Sequence, residues 1–451
     1  MVGGIPSPLH NQLYFILQLF SLAFGSSPAS PSSAPGDLIV QDFAVIMIIA
    51  ALMLIITHKL KQPMVIGYIL AGMIIGPYTP PFSLISSIQT VNVLSELGII
   101  MLLFVIGTEF PIAKLKSVSK VSIIVALPES MGTLLIVFFI SERLGFSFFD
   151  SMFLALAMSI TSTVVTIRIL EELDIIRDRS STIMLGVLII EDIIAISALA
   201  ILQSSVVVTT TISPTGNNAS NYIGGVHVGE IPILKIAISL AIVGAFMGSI
   251  LILGSRFIPT SLDRIGKTND YELLLIVILG LAFGLSFAAK LLGLSVVIGA
   301  FLAGVLVAES KSAAVVRVLT IPLRDVFSAI FFVSIGALMN VSLIPSFIIP
   351  AIILILTSFA SKFLIITGIL VVRSKIDGTT ALRTGLGLAA SKGEMSLIIA
   401  KGGQDVGAIS SSVLPILGVV TIITTFIAPY IIKFGNKIKV SESATSSSSS
   451  S

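Results

Sequence analysis

The sequence contains no cysteine and little charge: of its 451 residues, 11% are Asp, Glu, Lys or Arg and 55% are hydrophobic. Without cysteine there is no disulfide, no thiolate metal site and no cysteine nucleophile. So few charges exclude a soluble domain, whose surface would lack the polar groups that water requires. The short alternating segments of a membrane barrel are missing too; the apolar runs are continuous and mostly 18 to 25 residues long. No metal-ligand spacing or nucleophile constellation occurs, so neither an enzyme nor a cofactor is expected. What remains is an all-α polytopic membrane protein.

Apolar runs separated by charged and turn-forming breaks predict 13 transmembrane helices. They lie near 37–58, 63–82, 89–110, 121–141, 148–170, 181–205, 231–255, 271–290, 294–309, 318–340, 343–373, 379–402 and 411–434. Basic residues set the orientation. Lys59/Lys61, Lys114/Lys116/Lys120, Arg168/Arg177/Arg179, Arg256/Arg264/Lys267, Lys311/Arg317/Arg324, Arg373/Lys375/Arg383 and Lys433/Lys437/Lys439 fall in alternate connections. These are 20 of the 26 basic residues, and the side that holds them is expected to be the cytoplasm. The expectation is therefore a multi-pass protein of the cell membrane, its first span entered from outside and its C-terminus cytoplasmic. The sequon Asn218-Ala219-Ser220 lies in an outer loop on this topology. Residues 1–36 form an N-terminal extension whose apolar run at 13–24 reads as a cleaved signal peptide, and the serine-rich 435–451 reads as a disordered cytoplasmic tail.

A repeat is visible directly. "VIGYILAG" at 65–72 returns as "VIGAFLAG" at 297–304, identical at six of eight positions and displaced by 232. The same displacement aligns Leu154, Leu156, Ala157 and Ser159 with Leu386, Leu388, Ala389 and Ser391, and "LGV" at 185–187 with "LGV" at 417–419. Because it carries span 2 onto span 9, across an odd number of spans, the two copies run in opposite directions. Six spans, a linker and six inverted spans is the plan of a secondary transporter, in which discontinuous helices expose backbone groups near the midplane. Spans 5 and 12 are the expected broken crossing helices, interrupted by "SITST" at 159–163 and "SKGEMS" at 391–396. The competing reading is that these hydroxyls only bond back to, and bend, intact helices.

Six ionisable residues lie deep in predicted spans: Glu129, Glu191, Asp192, Lys362, Lys392 and Glu394. A charge at the bilayer centre costs on the order of 3 kcal/mol on insertion scales, so each needs a partner or a task. Glu191 and Asp192 are adjacent, about 100° apart around a helix, and cannot share one point-like partner. The expectation is that Glu191 pairs with Lys362 while Asp192 faces a cavity as shared carrier of cation and proton. Thr161, Ser162 and Thr163 would add oxygen ligands for Na+ or another monovalent cation, and competition for one site gives exchange without a separate gate. The displacement places Ile423 and Thr424 opposite Glu191 and Asp192, and Ser130 opposite Lys362, so the ion chemistry is asymmetric. Lys392 and Glu394 flank Gly393 and are read as a pair, either a local bridge or a coupling element. Glu129, after Pro128, is read as satisfying a polar neighbour.

These residues carry a resemblance. "IGYILAGMIIGP" at 66–77, "SELGIIMLLFVIGTEF" at 95–110, "SITSTVV" at 159–165, "GVLIIEDIIAI" at 186–196, "LGLSVVIGAFLAGVLVAES" at 292–310, "FFVSIGALMN" at 331–340 and "KGEMSLIIA" at 392–400 resemble the monovalent cation:proton antiporter-2 family. That resemblance implies Na+/H+ exchange by an elevator motion in a homodimer within the lipid bilayer, with no nucleic-acid partner. It implies a dimerisation scaffold at 37–110 and 271–340, an ion-transport core at 111–205 and 341–434, and an outer loop and linker helix at 206–270. It assigns Asp192 as the ion-carrying aspartate and Lys362 as its partner lysine. The sequence departs from the family pattern in having Glu191 before that aspartate, and Lys392 in place of arginine. With no nucleotide-binding domain expected after residue 434, ligand-gated K+ efflux is the less expected activity. Exchange of K+ or Li+ is one alternative; organic-anion symport on a related inverted-repeat fold, with Lys362 or Lys392 holding a carboxylate, is another.

Overall fold

Every regular element among the described residues is helical. The computed structural model describes residues 35–60, 62–79, 84, 85, 87–109, 119–211, 245, 248–268, 270–291 and 295–438. In chain order the helices are α1 Pro35–Lys59, α2 Met64–Ile75, α3 Ile88–Thr108, α4 Lys120–Arg143, α5 Phe148–Ser159, α6 Thr163–Glu172 and α7 Arg179–Thr211. They continue as α8 Ser255–Gly266, α9 Tyr271–Leu291, α10 Val296–Ala308, α11 Ala313–Leu338, α12 Ile344–Val372, α13 Gly378–Ala389, α14 Glu394–Asp405 and α15 Val413–Lys437. A π-helical turn, Ile250–Gly254, leads into α8, and a 3-10 turn, Val341–Leu343, leads into α12.

Local sequence explains where many of these helices begin. Ser87, Ser119, Ser147, Ser162, Ser295 and Asp377 stand at N-caps, each side chain accepting a backbone N–H of the first turn, for example Ser119 from Ser122 at 3.1 Å and Asp377 from Thr380 at 2.8 Å. Such bonds satisfy amides that have no partner inside the helix, which matters most where no water is near.

Nine helical segments among the described residues are long and apolar enough to cross a membrane, with α5 and α6 counted together. Two others, α2 and α10, are apolar but have only 12 and 13 residues. At 1.5 Å per residue neither spans a hydrocarbon core of about 30 Å alone. Both are shorter than expected, and α2 stops at Ile75 because Gly76-Pro77 cannot continue it. Other departures are local. Residues 255–266, read as a connection, form α8. The predicted tail begins later than residue 435, because α15 runs to Lys437 and Arg383 Nη2 donates to the carbonyl of Asn436 at 3.0 Å. Residues 1–34, most of the predicted seventh span, the sequon loop and 439–451 lie outside the described residues.

Two groups of helices pack among themselves. In one, α11 lies against α2 and α3, and α10 lies between α3 and α9. Small residues allow the closest approaches: a Cβ on Gly304 of α10 would run into the Phe104 carbonyl of α3, and one on Gly107 of α3 into the Phe301 carbonyl of α10. In the other group α4 packs on α5, α7 and α12, α13 on α7, α12 and α15, and α14 on α5 and α15. The six ionisable residues read as deep from the sequence all belong to this second group, whereas the buried Asp42 of α1 belongs to the first.

Candidate functional site

Two helices are broken, and the breaks meet. Residue 160 leaves helix α5 in an extended conformation, Ser162 caps the new start, and α6 begins at Thr163. Residues 390–393 separate α13 from α14, here with Gly393 at the new start and no side-chain cap. The amide of Ser162 donates to the carbonyl of Ser391 at 3.2 Å, and Gly393 is needed at the contact because a Cβ there would strike the Ser162 side chain. Backbone groups freed by the breaks are thus turned toward protein rather than lipid. The expected interruptions at 159–163 and 391–396 coincide with these breaks.

Beside the first break is a fully buried cluster formed by Glu129 of α4, Glu191 of α7 and Lys362 of α12. Lys362 Nζ lies 2.9 Å from Glu191 Oε1, 2.9 Å from Glu129 Oε1 and 2.9 Å from Thr161 Oγ1. The other oxygen of Glu191 accepts the Thr161 amide at 2.6 Å, and the Thr161 hydroxyl donates to the Leu388 carbonyl at 2.7 Å. The first break is therefore tied to an acid, an amine and the end of α13 at once. Burying an ammonium costs several kcal/mol unless oppositely charged and hydrogen-bonded groups surround it, and here all three of its N–H groups are used.

Asp192 sits one residue along and is bonded differently. Its Oδ2 accepts the Thr163 hydroxyl at 2.9 Å; its Oδ1 is buried and has no hydrogen-bond partner. The residue is 4% exposed. A carboxylate oxygen left open in the interior is costly.

Several expected arrangements are corrected. Of Thr161, Ser162 and Thr163, only Thr163 reaches Asp192; Thr161 is committed to Glu191, Lys362 and Leu388, and the Ser162 hydroxyl donates to Glu394 Oε2 at 2.9 Å. Ser162 is extended and turns its side chain away from those of its neighbours, and Thr163 is already the first residue of α6, so the three hydroxyls do not converge on one carboxylate. Lys392 and Glu394 do not pair. Lys392 Nζ donates to the carbonyls of Met158 (2.6 Å) and Ile160 (3.2 Å), which the end of α5 leaves free, while Glu394 turns to Ser162. The break in their own chain separates them, and each reaches across to the other break. Glu129 was the residue whose partner the sequence did not disclose. The signal was its place: Lys362 and Ser130 are related by the displacement of 232, so Glu129 adjoins the counterpart of Lys362 on a helix that packs against α12.

A cavity of about 600 Å³ opens elsewhere, between the α1–α2 connection and helices α6 and α15, lined by Leu60, Gln62, Glu172, Tyr430 and Lys433 among others. None of the six deep ionisable residues lines it.

Broken helices meeting beside buried acids in an all-helical bundle define a membrane transporter of the cation-exchanging class. Residues 45–435 match the transmembrane sodium/hydrogen exchanger family, and the chain belongs to it. Its members are transporters, not enzymes. The putative cation/proton antiporter YbaL of Escherichia coli is 30% identical over 65% of this chain, which spans 50% of that protein's length. The high-affinity Na+/H+ antiporter NhaS3 of Synechocystis is 30% identical over 76% of this chain and 70% of its own. K+ efflux antiporters of Arabidopsis thaliana match as well. The sodium proton antiporter MjNhaP1 of Methanocaldococcus jannaschii superposes with a TM-score of 0.66, covering 89% of this chain and 98% of its own, at 16% identity; this likeness concerns the fold.

Proposed function

We propose that this protein is a secondary active antiporter exchanging protons for Na+, with Asp192 as the shared carrier. The observation that carries the reading is the open, buried Oδ1 of Asp192 beside the Thr163 hydroxyl and the first break. An oxygen without a partner can accept a proton or contribute to a shell of oxygens around a small monovalent ion, but not both at once. That mutual exclusion is the coupling. Lys362 is shared by Glu191 and Glu129 next to the site, whereas among the described residues no ion pair engages Asp192, so the charge that changes during exchange is assigned to Asp192.

In this reading the α4–α7 and α12–α15 group moves as an elevator against the α1–α3 and α9–α11 group, the latter forming the contact of a homodimer. Support for the inverted repeat comes from two bonds whose partners are themselves 232 residues apart, Ser162 with Glu394 and Ile160 with Lys392. Residues that touch their own counterparts lie where a two-fold axis between the copies would pass. Thirteen spans, with the N-terminal end outside, complete the proposed topology. No cofactor enters the scheme.

The test is cation-driven proton movement in proteoliposomes containing wild-type protein or Asp192→Asn, with Na+, K+ and Li+ compared across pH. The asparagine cannot alternate between charged and neutral forms, so exchange is expected to fall by at least about 100-fold, the contribution typical of a group that moves a proton. Wild-type rates in that variant would remove Asp192 from the mechanism. The K+ efflux relatives favour a second reading, K+/H+ exchange at the same aspartate, which predicts faster movement with K+ than with Na+.

A further inference from the structure

The two groups of helices meet differently at the two ends of the molecule. The amide of Ser410 donates to Asp150 Oδ1 at 2.7 Å, so the end of α14 and the start of α5 share one end. Arg179 lies 3.8 Å from Asp377, so the starts of α7 and α13 share the other. The cavity of about 600 Å³ is at this second end, lined by Leu60 and Gln62 from one group and by Glu172 and Lys433 from the other. There the groups stand apart. At the first end Lys401 of α14 joins them, its Nζ donating to Asn92 Oδ1 of α3 at 3.2 Å. We infer that Lys401 is a positioning residue, which through Asn92 latches the first end shut and so holds the cavity at the second end open. This rests on the reading of the two groups as moving against each other, which requires the bond between Lys401 and Asn92 to break in every exchange cycle.

The charges are arranged so that this bond can break. Lys401 is 3% exposed, and an ammonium at that depth needs a counter-charge. Asp405 supplies it, one turn further along the same helix and 2.5 Å away. Ion and counter-ion therefore travel together. On α3, Glu96 stands one turn along from Asn92 and is paired with Lys290 of α9 at 2.6 Å. Both ion pairs thus lie within one group, whereas the bond between the groups ends on a neutral amide. Opening it forfeits a hydrogen bond but leaves no charge without its partner. An ion pair across the same seam would leave two uncompensated charges on opening and would resist it far more strongly.

The chain has no cysteine, so two introduced ones can carry spin labels without competition. Leu60→Cys and Glu172→Cys place them on opposite sides of the cavity, both at exposed positions. In the full chain in lipid nanodiscs, the distances between labels are expected to fall into a longer set with the cavity open and a shorter set with it closed. Asn92→Leu removes the acceptor and should raise the ratio of shorter to longer about tenfold, the low end for a bond to a charged group. Asn92→Asp keeps an acceptor and should retain the longer set. In a Lys401→Met background, which itself should raise the ratio, Asn92→Leu should raise it no further; Lys401→Met serves alone if Asn92→Leu is poorly recovered. The inference is overturned if Asn92→Leu, or Lys401→Met in its place, leaves the ratio as in the wild type. It is also overturned if Asn92→Asp behaves like Asn92→Leu, or if Asn92→Leu still acts without Lys401. A single distance in the wild type and in every variant defeats the moving groups and the latch with them, whereas two sets whose ratio ignores Asn92 and Lys401 defeat only the latch.

Discussion

Two helix breaks lie against each other in this protein, and they are completed by different chemistry. At the first, the Thr161 amide is given to a carboxylate, Glu191, and the adjacent Asp192 keeps an oxygen open. At the second, the Lys392 amide donates to the Thr424 hydroxyl at 3.0 Å, and the Lys392 carbonyl accepts the Thr425 hydroxyl at 2.8 Å. Asp192 and Thr424 are 232 residues apart, the displacement at which the sequence repeats, so α7 presents an acid where α15 presents a hydroxyl, while Glu191 has Ile423 as its counterpart. A hydroxyl can donate and accept, and two of them close the second break with neither charge nor acceptor left over. Carboxylates cannot do that: they satisfy the first break and retain both charge and acceptor capacity. One break is finished as structure, while the other stays open to chemistry.

The contrast can be broken most directly at its two equivalent positions. Asp192→Asn should lower exchange by at least about 100-fold in proteoliposomes while the thermal unfolding transition stays near that of the wild type. A large loss of stability instead would make Asp192 a structural group like Thr424. The next effect in size is expected at Lys392, whose ammonium closes the carbonyl end of α5. Lys392→Met deletes two charge-assisted bonds and should cost about 2 kcal/mol of stability, read as lower denaturant resistance of the purified protein. Thr424→Val should cost about 1 kcal/mol through the lost acceptor for the Lys392 amide, with exchange still measurable. Abolished exchange in a folded Thr424→Val protein would show that the second break is not merely structural.

The smallest expected effect sharpens the comparison from outside the site. Asp377 caps α13, the helix that ends at the second break, and its carboxyl is held below the usual carboxylate range by the Thr380 amide, helped by Arg179 3.8 Å away and opposed by partial burial. A depressed folded-state pKa means that this contribution is fully present above the unfolded value of about 3.9 and is lost as pH falls through the folded value. Asp377→Ala should cost about 0.5 kcal/mol near neutral pH, the low end for an exposed cap, and Asp377→Asn should keep most of the cap without its pH dependence. Comparing the unfolding of both variants in neutral and acidic buffer checks the sign.

Much of this was legible before any coordinates. Continuous apolar runs disclosed helices, two short polar segments disclosed the breaks, and the cost of buried charge singled out Glu129, Glu191, Asp192, Lys362, Lys392 and Glu394, but not Asp42, Asp150 and Lys401, which are buried as well. The proximity of Glu191 to Lys362 could be anticipated because adjacent acids cannot share a partner. What the sequence concealed was direction. Thr161, Ser162 and Thr163 are indistinguishable as a run of hydroxyls until the extended backbone sends them to Glu191 and Lys362, to Glu394 and to Asp192. Lys392 and Glu394 look like a pair at that spacing, but the break between α13 and α14 turns each toward the opposite segment. Glu129 gave no sign of its partner in its own neighbourhood, because the partner lies on α12, more than half the chain away. Helix lengths were misjudged where Gly-Pro cut α2 short, and α8 was missed because its apolar residues are interleaved with arginines.

The crossing of α3 and α10 at Gly107 and Gly304 carries a mechanical consequence. Main chain there rests on main chain, with no rotatable side chain between to act as a cushion, so the crossing behaves as a weld. Any rearrangement that the molecule undergoes must be taken up at seams where longer side chains intervene and can repack. Placing even an alanine at Gly304 would prise the weld apart rather than fill a gap, and its harm should register in assembly before it registers in turnover.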